Sequence, residues 1–164
     1  MSKSLLQVKS TTMNFPTSSH IPQSHLEPGG WLELQDLCFP CCCDDGTLLP
    51  DSALAKWSTF MMQAGDKFGR RLDLLPHYKP LLEEAGFKNI TSKMIQWPQN
   101  PWPKDKKFKE LGAWTQENLV NGCEGICLRL FTAALGWTKE EVDVHLMKVR
   151  TDMKDTRIHA YWPM

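Results

Sequence analysis

The sequence predicts a mixed α/β fold of about three strands with several helices, and three patterns support it. Side chains alternate between apolar and polar from Trp31 to Asp36. Apolar residues recur at helical spacing from Leu54 to Phe68 and again from Val142 to Met153. Strand-like runs return at 90–97 and 158–162. Of the 164 residues, 41% are hydrophobic and 23% charged, which suits one core and excludes two full domains. Nineteen Lys and Arg balance nineteen Asp and Glu, so the net field attracts neither nucleic acid nor an anionic membrane. No apolar run approaches the ~20 residues that a bilayer span requires, and the expected location is the cytoplasm.

Residues 1–25 are rich in Ser and Thr and lack acidic groups, so a disordered or divergent N-terminal segment is expected there, with the folded part over 26–164. Leu26-Glu27-Pro28-Gly29-Gly30 reads as a turn into a first strand, Trp31–Asp36. In it Trp31, Glu33 and Gln35 share one face and Leu32, Leu34 and Asp36 the other. After the Asp44-Asp45-Gly46 turn, Leu54, Trp57, Met61, Ala64 and Phe68 define an amphipathic helix with Asp51 and Ser52 as candidate N-caps. A shorter helix over 76–85 is closed by Gly86, with Phe87 folding back. A second strand covers 90–97 and ends at Pro98.

From Lys104 to Leu135 helical spacing returns, with Phe108, Leu111 and Trp114 on one stripe and Leu119, Cys123, Ile126 and Leu130 on another. Gly122 and Gly125 predict a bend or a close helix contact, hence two helices. Thr138 and Glu141 form a capping box, Trp137 can staple to Val142, and Val142, Leu146, Val149 and Met153 make the apolar face of the next helix. A terminal strand over 158–162 stops at Pro163. A helical crossover between the first two strands implies parallel pairing. So few strands leave an edge open, available to a protein partner or to self-association.

The six cysteines carry no export signal, and four of them crowd into 38–43, which favours reduced thiols over a disulfide scaffold. Cys38 and Cys41 form a C-x-x-C, but no second ligand pair follows at zinc spacing, so no metal is expected. Cys123 and Cys127, one helical turn apart, read as small buried hydrophobes.

These elements carry a family resemblance. Leu26-Glu27-Pro28-Gly29-Gly30-Trp31-Leu32-Glu33-Leu34-Gln35-Asp36 resembles the segment that opens the fifth strand of class I S-adenosylmethionine-dependent methyltransferases, and specifically the fungal LaeA-like group of secondary metabolism. Leu82–Phe87, Trp97-Pro98, Asn100–Pro103, Lys109–Gly112, Leu135–Thr138 and His159–Pro163 resemble later landmarks of that group, in order. The resemblance spans 26–164 and implies the C-terminal half of a Rossmann-like sheet, with S-adenosylmethionine as cofactor and a small-molecule acceptor. Nuclear residence is implied by the same analogy. The sequence departs from the family in lacking a Gly-rich loop between a strand and a helix, where backbone amides would cradle the cofactor, so no cofactor-binding residue is assigned.

In a doubly wound sheet, ligands sit beyond the carboxyl ends of the strands, which brings forward Gln35 for substrate contact and Asp36 as a base or as a residue that orders the following loop. His159, on the terminal strand, is a second candidate base or a structural histidine. Trp57, Trp97 and Trp102 are candidate walls of an acceptor pocket, with core packing as the alternative, as for Trp114 and Trp137. Arg70 and Arg71 are candidates to pair with a ligand carboxylate, or a solvated helix end. A non-catalytic regulatory protein is the competing reading, favoured by the missing loop.

Overall fold

The computed structural model describes residues 30–164. The predicted segment 1–25 and most of the Pro-Gly-Gly turn lie outside them. The elements run α1 (Ala53–Lys67), α2 (Leu75–Glu84), β1 (Gln96–Pro98), α3 (Lys106–Leu130), α4 (Lys139–Lys154) and β2 (Tyr161–Pro163). Among the described residues no helix is long and apolar enough to cross a membrane.

The α1 expectation holds from the Ser52 cap through Ala64. Ser52 accepts from Ala55 N at 3.2 Å, and Leu54, Trp57, Met61 and Ala64 are buried. Asp152, far along the chain on α4, adds a second cap by accepting from Leu54 N at 3.0 Å. Helix α2 ends as read: Gly86 is left-handed, Gly86 N donates to Glu83 O, and Phe87 N donates to Leu82 O at 3.0 Å, so both terminal carbonyls are satisfied while Phe87 is buried. In α4 the Thr138–Glu141 box closes both ways, and Val142, Leu146, Val149 and Met153 have no exposed surface.

Other expectations are corrected. Trp31–Asp36 is not a strand: its alternation survives as exposure, with Leu32 and Leu34 half-buried and Trp31, Glu33 and Gln35 exposed, but no ladder forms among the described residues. A hydrophobic period of two specifies which side faces inward, and the pairing must come from a neighbour. The 90–97 run contributes only its end to a strand. Its partner is β2, antiparallel, with Trp97 opposite Trp162, so among the described residues the sheet has two strands rather than about three and no parallel pair. The ladder extends by reciprocal Ile95 and Met164 bonds on one flank, while Cys42 bridges to Tyr161 on the other.

The 104–135 region is one continuous helix closed by a π turn, Phe131–Leu135, and left-handed Gly136, not two helices. Gly122 and Gly125 meet nothing closely. The close approach is at Gly112, where a Cβ would overlap the Asn100 carbonyl oxygen. Consequently α3 buries Gly112, Thr115, Cys123 and Cys127, and of the predicted stripe Leu111 is half-buried while Phe108 and Trp114 are exposed, Trp114 at 64%. Phe68 likewise lies outside the core at 45% exposure.

The main core joins α1, α3, α4 and β2. At its centre Trp57 and Trp162 meet edge to face at 6.1 Å, and Phe39 tilts against both at 5.8 and 5.0 Å. Ser58 accepts from Cys41 N at 2.8 Å, fastening the 38–43 stretch to α1. Burial pushes the Cys41 thiol up to about 12 and the Cys127 thiol up to about 11, so both stay protonated and pack as small apolar groups. A smaller cluster, Leu82, Ala85 and Phe87, packs against Leu32, Leu34 and Ile90.

Candidate functional site

The best-organised polar constellation forms where the Asp44-Asp45-Gly46 turn meets the entry to β2. Gly46 at φ 75° lets the chain reverse, and the two carboxylates ahead of it reach the terminal strand. Asp44 accepts from Tyr161 OH at 2.7 Å and from Gln96 Nε2 at 3.0 Å, tying the turn to both strands. Asp45 Oδ2 lies 2.5 Å from His159 Nδ1. Its other oxygen accepts from Thr47 N at 3.1 Å, Thr47 Oγ1 at 2.8 Å and Cys43 Sγ at 3.1 Å. Thr47 Oγ1 also accepts from His159 N at 2.8 Å, so the histidine is held through backbone and ring together.

Trp102 completes the arrangement. Its Nε1 donates to Ala160 O at 3.0 Å, and its indole stacks on the His159 imidazole with centroids 4.9 Å apart and planes 28° from parallel. Hydrogen bonds from His159 first, and then from Thr47, hold the Asp45 carboxyl well below its usual range, so it is an anion at neutral pH. The bond to Asp44 and partial burial push the Tyr161 hydroxyl up to about 12. With Nδ1 turned to Asp45, Nε2 is the ring atom left for a ligand, and the side chain is 37% exposed. An imidazole oriented by a carboxylate is the geometry of a general base.

The sequence candidates therefore separate. His159 and Trp102 come together. Asp36 lies elsewhere: its Oδ2 accepts from Tyr78 OH of α2 at 2.6 Å and its Oδ1 from Leu37 N at 2.8 Å, and it shares no bond with His159. Burial, followed by the Asp36 contact, raises the Tyr78 hydroxyl. Gln35 donates to exposed Glu33 at 2.6 Å. Trp97 on β1 donates to Thr115 of α3 and is half-buried, while Trp57 is 0% exposed and belongs to the core. Arg71 is engaged bidentately by Asp73 at 2.9 and 2.8 Å. Sequence reasoning missed Asp44, Asp45, Thr47 and Tyr78. The signal for the first three was present, since Asp, Asp, Gly and Thr in succession place several side-chain acceptors on one turn, but the partners that make them a site, His159 and Tyr161, are more than a hundred residues away.

The described residues do not build a cradle for S-adenosylmethionine. Their left-handed glycines, Gly46, Gly69, Gly86 and Gly136, stand in a turn or just after a helix, and none leads a strand into a helix N-terminus.

No family model matches the chain, and no solved structure matches it. Similarity to curated proteins is extensive. The chain is 42% identical over 137 residues to a methyltransferase of Aspergillus terreus, pytC, covering 84% of this chain and 42% of that protein. It is 37% identical over 141 residues to a probable methyltransferase of Emericella nidulans, tdiE, covering 86% of this chain and 44% of that protein. It is 32% identical over 139 residues to the secondary metabolism regulator laeA of Monascus pilosus, covering 84% and 38% respectively. The chain thus spans less than half the length of the relatives that it matches. Over that span it belongs to the family of fungal methyltransferases and laeA-type regulators of secondary metabolism.

Proposed function

We propose that the chain is the acceptor-side part of a methyltransferase of fungal secondary metabolism that takes its methyl group from S-adenosylmethionine and delivers it to a small molecule. The observation that carries this reading is the 37–42% identity, over 84–86% of the chain, to proteins named as methyltransferases. His159 is the proposed base. It would draw the proton from an acceptor hydroxyl onto Nε2 while Asp45 stabilises the resulting imidazolium through Nδ1–H, and Trp102 would present an aromatic edge beside the bound acceptor. Because the described residues offer no cofactor cradle, their contribution is alignment of the acceptor and removal of its proton, not capture of the methyl donor.

Replacing the matching segment of pytC with this chain tests the reading by transfer of radiolabelled methyl groups. A folded chimera that labels its acceptor supports it, and His159→Ala should then lower kcat by about 10²–10⁴-fold. Full activity with His159→Ala overturns the base assignment. A folded chimera with no transfer overturns the enzyme reading in favour of the second one, a non-catalytic regulator that binds a protein partner, which the 32% identity to laeA supports.

A further inference from the structure

The outward face of α4 carries a pattern that neither the core nor the histidine site uses. Glu140, Val144 and Lys148 follow at intervals of four, stacked on one side of the helix, and all three are exposed, Val144 at 51%. Met147 beside them is 61% exposed. Among the described residues neither Glu140 nor Lys148 has an ion-pair partner, whereas on the flank facing α3 the charges are paired, Lys139 with Asp143 and Glu124, and Arg150 with Glu124. A shallow groove of about 450 Å³ adjoins the stripe, lined by Trp137, Glu140, Glu141, Val144, His145 and Lys148. In its wall His145 packs edge-on against Phe60 and Trp137, and its Nε2 is enclosed without a hydrogen-bond partner.

We propose that this face binds a second copy of the same chain, with the two α4 helices antiparallel about a two-fold axis through Val144. The stripe reads acidic, apolar, basic, so reversing it produces its own complement. Each residue a given number of places before Val144 faces the residue the same number after it in the other copy. Glu140 then meets Lys148 twice, once on each side of the axis, and Val144 meets itself. A parallel arrangement would oppose Glu140 to Glu140 and is disfavoured. The acid and the base lie about 12 Å apart along the helix, further than one small ligand in a shallow groove bridges readily, which favours a protein face as the occupant. One helix pair is a small interface, so the dimer is weak and concentration-dependent.

Sedimentation equilibrium on the 164-residue chain tests this. The apparent mass should rise from 18.8 kDa toward about twice that value as concentration approaches millimolar. Glu140→Lys and Lys148→Glu should each weaken association about tenfold or more, because each opposes like charges twice per dimer, and the double exchange should restore it. Val144→Lys should leave a monomer. All these positions are solvent-exposed, and unchanged circular dichroism identifies variants that keep the fold. A chain that stays monomeric throughout overturns the proposal. So does association that the single exchanges leave unchanged, or that the double exchange fails to rescue.

Discussion

The two clusters of the molecule are built on different principles. The main core draws α1, α3, α4 and β2 around Trp57 and Trp162, residues 105 positions apart, and its members are sealed from solvent. The satellite cluster rests on Leu82, Ala85 and Phe87, capped by half-buried Leu32, Leu34 and Ile90. His159 and Asp45 stand on the first, because the histidine leads directly into β2 and the turn is bonded to it. Asp36 and Tyr78 stand on the second. The two carboxylates, Asp45 and Asp36, therefore rest on supports of unequal depth, and only the one on the main body holds a histidine. Pre-organisation of the proposed base follows from that support.

The comparison can be broken or sharpened experimentally, beginning with the core. Trp162→Ala should destabilise the fold by about 3–5 kcal/mol through the cavity and the orphaned Gln99 amide that bonds its indole at 2.7 Å, as read by urea unfolding. Leu82→Ala in the satellite should cost about 2–4 kcal/mol locally, seen as faster hydrogen exchange in α2 and in 30–37 while amides of α4 keep their protection; a loss spread evenly over both clusters would show that they are one cooperative unit. Gly112→Ala should destabilise by about 1–3 kcal/mol despite its better helix propensity, because its Cβ would meet the Asn100 backbone, while Gly125→Ala, with open space around it, should stabilise by about 0.5–1 kcal/mol. Thr138→Ala should cost about 1 kcal/mol by removing the α4 cap.

The smallest effect is acid sensitivity of the His159 turn. Asp45 and Asp155 both have depressed carboxyl values, Asp155 at about 2 through its bonds to Arg157. Such groups add stability above the unfolded carboxylate value of about 3.9 and lose it as pH falls through the folded value. Asp45→Asn should therefore flatten the loss of stability seen between neutral and strongly acidic pH in a thermal-melt series.

Much of the helical skeleton was legible before any coordinates. The Leu54–Ala64 and Val142–Met153 stripes, the capping box and the Gly86 stop are local patterns, and each is satisfied within a few residues of itself. The α3 stripe misled because Trp114 is apolar yet stands on the far side of the helix from Gly112, which brings α3 against the Asn100 loop. Backbone contact outweighed side-chain hydrophobicity there. Of the site, His159 and Trp102 were legible, but not what orients the histidine, since Asp45 bonds locally only within its own turn, to Cys43 and Thr47, and meets His159 more than a hundred residues away.

By itself the sequence determined the caps and inward faces of α1 and α4, the stop of α2 and the fungal methyltransferase resemblance, because capping, periodicity and motif order are short-range properties of the chain. Tertiary structure alone decided that Trp31–Asp36 forms no ladder among the described residues, that Trp97 pairs antiparallel with Trp162, and that Asp45 rather than Asp36 holds His159. The reason is physical: this strand pairing and the Asp45–His159 contact are made between groups far apart along the chain, so they are fixed only when packing brings those groups together.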